Sequence, residues 1–278
     1  MWSIRFRTLS NFYFWRKYVA GDKCDGYLCH SLYTYSCPHS QPYILAPRNK
    51  HLVNDNIRKV IGKHYFAYLA LAMIYPKNNK FISGFFHRYI GYIIGKNFKA
   101  FNFNTIEVDP DRSVLLLANH FGWWDGFLLY WLNHLLFKKK FHVMTLEDTV
   151  KKVFFLKYMG AYSVLKNSRS MIYSLNYTAE LLKDPGNLVL IFPQARLYSN
   201  FVDDIHFEGG LAKIIKQAAG KFQYVFAATF VENFQHKKPT VNVYVKKSVQ
   251  NIAGVDELKQ VFQQYYQSAK QQQTQIVI

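Results

Sequence analysis

The chain has 278 residues, half of them apolar, with 35 basic against 17 acidic side chains and a formal charge of +18. That length suits one sizeable core with an added subdomain, while the charge is extreme for a cytosolic metabolic enzyme and points to a polyanionic partner. No run reaches the roughly 18–20 apolar residues of a spanning helix, so the chain is expected to sit on a membrane without crossing it.

Residues 1–50 mix Gly, Pro, Ser, Cys and aromatics without periodicity, and they are expected to form an irregular N-terminal segment. Cys24, Cys29 and Cys37 lie here beside His30 and His39. They form no Cys-x-x-Cys pair and match no common zinc spacing, so no metal is expected. An odd count with a cysteine-free remainder suits a reducing compartment. The N-terminus alternates arginines with aromatics and lacks the apolar core of a signal peptide.

Residues 51–100 predict a helix hairpin. Its first arm runs from Ile57 to Tyr75 and stops at Pro76. In the second arm Phe81, Ile82, Phe85, Phe86, Tyr89, Ile90, Ile93 and Ile94 recur at three- and four-residue spacing. With lysines at 77, 80, 96 and 99 nearby, this hairpin fits either a packed core or an interfacial subdomain on a membrane surface.

Strand and helix patterns alternate from 101 to 278. Predicted strands are 114–118, 141–146, 161–165, 187–192, 223–230 and 241–247; predicted helices are 125–137, 148–158, 168–183, 208–219 and 255–270, followed by a Gln-rich tail. Apolar strands separated by helices predict an α/β fold with a mostly parallel sheet covered by helices.

Chemistry concentrates after the first of these strands, in Asn119-His120-Phe121-Gly122-Trp123-Trp124-Asp125. Positions five apart point in different directions on one helix. His120 and Asp125 can meet only if the chain turns near Gly122 and Asp125 opens the next helix. A second strand, 187–192, ends in Phe192-Pro193-Gln194-Ala195-Arg196. Both loops would then reach the carboxyl edge of a parallel sheet, where ligands bind. Asp203, Asp204, His206 and Glu208 form an acidic cluster, read here as a solvated loop and helix start. His134 and His142, in apolar surroundings, are read as structural.

These blocks resemble the glycerolipid acyltransferases, the lysophosphatidate acyltransferase-like enzymes, over about residues 58–247. The Asn-His-x4-Asp block is present in full at Asn119, His120 and Asp125. A second block is echoed at Gly160 to Lys166, with Lys166 or Arg169 as the cation. The third keeps Phe192 and Pro193 but has Gln194 for Glu, Ala195 for Gly and Arg196 one position early. The fourth is echoed at Val225-Phe226-Ala227-Ala228 without its proline.

The resemblance implies an O-acyltransferase of lipid biosynthesis with His120 as general base oriented by Asp125. Asn119, Lys166, Arg169, Phe192, Pro193, Gln194 and Arg196 would then bind substrate. Acyl-CoA or an acyl carrier protein thioester would be the co-substrate, with no cofactor, and a lysophospholipid or other lipid hydroxyl the acceptor. The expected place is the cytoplasmic face of an anionic membrane surface. Backbone N–H groups after Phe192 or Gly122 are candidates to bind the tetrahedral oxyanion. The rival is a non-catalytic basic module on a membrane or nucleic acid. Lysines spread along the chain, and strands apolar on both faces, argue against nucleic acid.

Overall fold

The structure is a computed structural model and describes residues 73–164, 171–218, 220–248, 252 and 254–278. The segment 1–50, the first hairpin arm up to residue 72, Lys166 and Arg169 lie outside the described residues, and positions 73–75, expected to end that arm, are not helical. Helix α1 (Lys80–Asn97) is the second arm. Asn79 caps it by accepting the Ile82 N–H at 3.0 Å, satisfying one of the four free donors of the first turn. Phe86, Ile90 and Ile94 make its buried stripe, while Phe81, Phe85 and Tyr92 remain exposed.

A seven-stranded sheet follows in the order β1-β7-β6-β2-β5-β3-β4. Its strands are β1 (Ala100–Phe103), β2 (Ser113–Ala118), β3 (Lys140–Leu146), β4 (Ala161–Val164), β5 (Asn187–Ile191), β6 (Phe222–Glu232) and β7 (Thr240–Lys247). Every neighbouring pair is parallel except β6 with β7, as the alternating pattern predicted. The helices are α2 (Asp125–Leu132), extended by a π-turn over Asn133–Phe137, then α3 (Glu147–Lys152), α4 (Met171–Leu181), α5 (Leu211–Ala218) and α6 (Val255–Thr274).

Both sheet faces are covered, and the strands show why their sequences run apolar without alternation. Val114, Leu116 and Ala118 of β2 face a cluster with Ile90 of α1 and Leu128 of α2. Leu115 and Leu117 face the opposite cluster with Leu175 of α4, Ile214 of α5 and Phe262 of α6. Full burial of each such side chain stabilises the fold by about 1.5–3 kcal/mol. The outer edge at β4 is covered by Ile74, whose carbonyl accepts Ser163 N–H at 3.0 Å and whose own N–H donates to Ser163 Oγ at 2.8 Å.

Three departures from the sequence pattern have local causes. Strand β1, outside the predicted strands, is only four residues long, and polar side chains help to hold it: Asn102 donates to Asn242 at 2.9 Å. The helix expected over 148–158 breaks at Val153 (φ −114°, ψ 76°) and resumes as a 3-10 turn over Phe154–Met159. The last helix runs past 270 because Gln273 is buried and accepts from Asn242 Nδ2 and the Tyr244 hydroxyl, both at 3.1 Å.

Candidate active site

Strands β2 and β5 are parallel neighbours with Leu117 opposite Ile191, so the loops that follow them emerge side by side. Asn119 extends the β2 ladder with its side chain. It donates to the Thr229 carbonyl at 3.0 Å and accepts the Thr229 N–H at 2.9 Å, fixing the next residue against β6.

That next residue is His120. The chain turns through Gly122, and Asp125 opens α2 at its first position. His120 Nδ1 lies 2.7 Å from Asp125 Oδ2, with the carboxylate 1% exposed and the imidazole 25% exposed. The carboxylate accepts, so the proton sits on Nδ1 and Nε2 is left as the ring's lone-pair nitrogen. The same Asp125 oxygen accepts Phe121 N–H at 2.7 Å and Gly122 N–H at 3.0 Å, so one atom shapes the turn and orients the ring. Asp125 also places negative charge at the positive end of α2, a favourable position. These bonds take up the Phe121 and Gly122 N–H groups.

The loop after β5 completes the site. Phe192 stacks on the imidazole at 4.1 Å between ring centroids and 16° between planes. Gln194 is 1% exposed and its Oε1 accepts the His120 N–H at 2.7 Å, while Tyr198 N–H donates to the His120 carbonyl at 3.0 Å. Pro193 is buried and its carbonyl takes Glu208 N–H at 2.8 Å. Ala195, where the resemblance places Gly, adopts φ 49°. Its Cβ makes that left-handed conformation cost about 1–2 kcal/mol, so the loop keeps a glycine-like shape without the glycine. Arg196 is 71% exposed, and its Nε lies 3.9 Å from Glu208 Oε1, a loose pair at the surface.

His120 and Arg196 line a cavity of about 500 Å³ whose remaining wall is mostly apolar. Trp123 and Leu197 stand at it with exposed side chains. Ile90 of α1, Phe127 and Tyr130 of α2, Phe141 and Val143 of β3, and Leu156 and Met159 of the 3-10 turn form much of the wall. Burial raises the Tyr130 hydroxyl to about 12, and that hydroxyl lies 3.0 Å from His87 Nδ1. Sequence patterns did not single out these wall residues, because an apolar residue lining a ligand cavity carries the same periodicity as one in the core. Gly160, in the second block, has φ 90°, and a Cβ there would lie 1.9 Å from the Phe141 carbonyl oxygen. Only glycine lets β4 begin so close to β3.

The expected site residues thus divide by place. His120, Asp125, Phe192, Gln194 and Arg196 are gathered at one strand-end pocket, and Asn119 and Pro193 brace its two loops from beneath. Of the acidic cluster, Asp203 pairs with Lys270 at 2.7 Å and Glu208 with Arg196. Among the described residues no three His, Cys, Asp or Glu side chains are grouped to hold a metal ion. Lys139, part of a lysine run, donates to the Pro185 carbonyl at 2.6 Å.

A buried carboxylate thus holds one nitrogen of an imidazole that lines a mostly apolar cavity, an arrangement chemically able to move a proton. Residues 100–232, from β1 to the end of β6, match the model of the Acyltransferase family. The match agrees with the resemblance to glycerolipid and lysophosphatidate acyltransferases. No curated protein matches the chain.

Proposed function

We propose that the chain is an O-acyltransferase that moves a fatty acyl group from an acyl-CoA or acyl carrier protein thioester to a hydroxyl of a lysophospholipid or another lipid. The observation that carries this is the His120–Asp125 pair at 2.7 Å on the wall of an apolar cavity of about 500 Å³, within the usual range for small-ligand sites.

An acceptor hydroxyl attacks a thioester well only when a base removes its proton during attack. His120 Nε2 takes that proton as the acceptor oxygen bonds to the thioester carbon. The carbon–sulfur bond then breaks, and the leaving thiolate takes the proton back from the imidazolium. Asp125 holds the ring throughout and stabilises its charged form, the logic of a hydrolase triad in which the substrate hydroxyl stands for serine. The apolar wall suits the acyl chain, and Arg196 suits an anionic headgroup at the rim.

A membrane-surface position is part of the proposal. Phe81, Phe85 and Tyr92 are exposed on α1 between Lys77, Lys80 and Lys96. This pairing of rings with basic side chains suits an anionic bilayer interface. Among the described residues no helix is long and apolar enough to cross a membrane.

The test supplies wild type and His120→Ala with radiolabelled acyl-CoA and acyl carrier protein thioesters plus a total lipid extract. A labelled lipid formed by wild type alone is expected and identifies donor and acceptor together. No product with either donor, from folded protein that sediments with anionic vesicles, would sink the catalytic proposal in favour of a non-catalytic lipid-surface protein.

A further inference from the structure

The peptide and the ring of His120 are held by different elements. Asp125 of α2 orients the ring at 2.7 Å. The peptide is gripped from the β5 loop, by Gln194 Oε1 on its N–H at 2.7 Å and by Tyr198 N–H on its carbonyl at 3.0 Å. Gln194 is 1% exposed, so its oxygen has no bulk water competing for the His120 donor. A carboxylate in the same place would make the same hydrogen bond. It would also set a second negative charge near the imidazole, and opposite charge within about 4–6 Å favours the protonated ring. The protonated ring is not a base. An amide therefore supplies the acceptor without that penalty.

Among the described residues, the titratable groups of the elements around His120 are Asp125 and Tyr130 from α2, Tyr224 and Glu232 from β6, and, after β5, Arg196, Tyr198, Asp203, Asp204, His206 and Glu208, of which Asp203 is paired with Lys270. Arg196 and Glu208 lie 3.9 Å apart and oppose each other, which leaves Asp125 as the carboxylate in direct contact with the ring. We infer that Gln194 is a positioning residue for acyl transfer, whose neutral side chain fixes the His120 peptide and leaves Asp125 alone to set the state of the imidazole. The inference rests on His120 acting as the base.

The experiment compares wild type, Gln194→Leu, Gln194→Glu and His120→Ala in palmitoyl transfer from palmitoyl-CoA to a total lipid extract. It reads kcat and KM from about pH 5 to 9, with a thermal melt of each protein as a folding control. Gln194→Leu should lower kcat about tenfold, the consequence of leaving one buried donor unmade, with KM within about twofold. Gln194→Glu restores the acceptor, so it should recover most of that kcat on the alkaline plateau. Its added charge should move the acid limb of the kcat profile up by about one pH unit. A raised KM with unchanged kcat in Gln194→Leu would put the side chain on the substrate and overturn the inference, as would an unmoved acid limb in a folded Gln194→Glu. Turnover retained by His120→Ala would sink the assignment of the base itself. Loss of turnover in His120→Ala beside a fully active Gln194→Leu would sink only the role of Gln194.

Discussion

Two histidines of this sheet stand in opposite circumstances. His120 lies just beyond the carboxyl end of β2, a quarter exposed, with Asp125 on one ring nitrogen and a cavity beside it. His142 lies within β3, 2% exposed, and Nε2 meets only the neutral Asn187 oxygen at 3.3 Å. Burial drives His142 down to about 4, with Lys140 adding to the effect. The residue type is the same; place in the strand and the nature of the partner differ. A strand end can offer an imidazole to a ligand and give it a carboxylate, whereas a strand interior makes it a neutral packing group.

The sharpest way to break this comparison is to remove the carboxylate. His120→Ala should lower acyl transfer about 10²–10⁴-fold, the usual worth of a general base, at little cost in stability. Asp125→Asn should come close to that loss. It keeps an oxygen for the Phe121 and Gly122 N–H groups but no longer fixes the Nδ1–H tautomer. Single-turnover transfer from acyl-CoA measures both. Asp125→Asn turning over like wild type would mean that the ring needs no carboxylate.

His142 gives the complementary test, through stability. Its folded form stays neutral while the unfolded chain takes up a proton below about 6.5, so the unfolded state binds more protons there. Stability is therefore undiminished above about pH 6.5 and falls as pH drops toward 4, by about 3 kcal/mol at most. His142→Gln should flatten that part of the denaturation profile and leave acyl transfer intact. Urea midpoints measured across the window check this, and an unchanged slope in the variant would assign the loss to other groups.

Much of this contrast was legible beforehand. Val114 to Ala118 read as a buried strand, Gly122 as a turn and Asp125 as a helix start, and the short separation of His120 from Asp125 makes their meeting a local event. The β5 loop was legible only as a second strand end, since Gln194 acts on a residue 74 positions earlier. A side chain that reaches across strands leaves no periodic mark. The same holds for β1, held partly through Asn102 and Asn242, 140 positions apart, and for Gln273, which looks like part of a polar tail until its partners on β7 are in view. Local geometry was written in spacing; long-range polar contacts required the fold.

Phe192 offers the finest test. Its ring lies against the imidazole at 4.1 Å and 16°, so it limits ring tilt and shields one face from water. Phe192→Leu keeps apolar bulk but removes the flat stacking surface, worth about 0.5–1.5 kcal/mol for such pairs. Since Asp125 still fixes Nδ1, the ring should keep its tautomer and lose only part of its angular restraint. The expected outcome is a kcat about two- to tenfold lower, with the Gln194 and Tyr198 contacts to the His120 peptide unaffected. A loss as large as that of Asp125→Asn would mean that stacking, rather than the carboxylate, holds the imidazole, and the contrast between the two histidines would then turn on an aromatic neighbour instead of a charge.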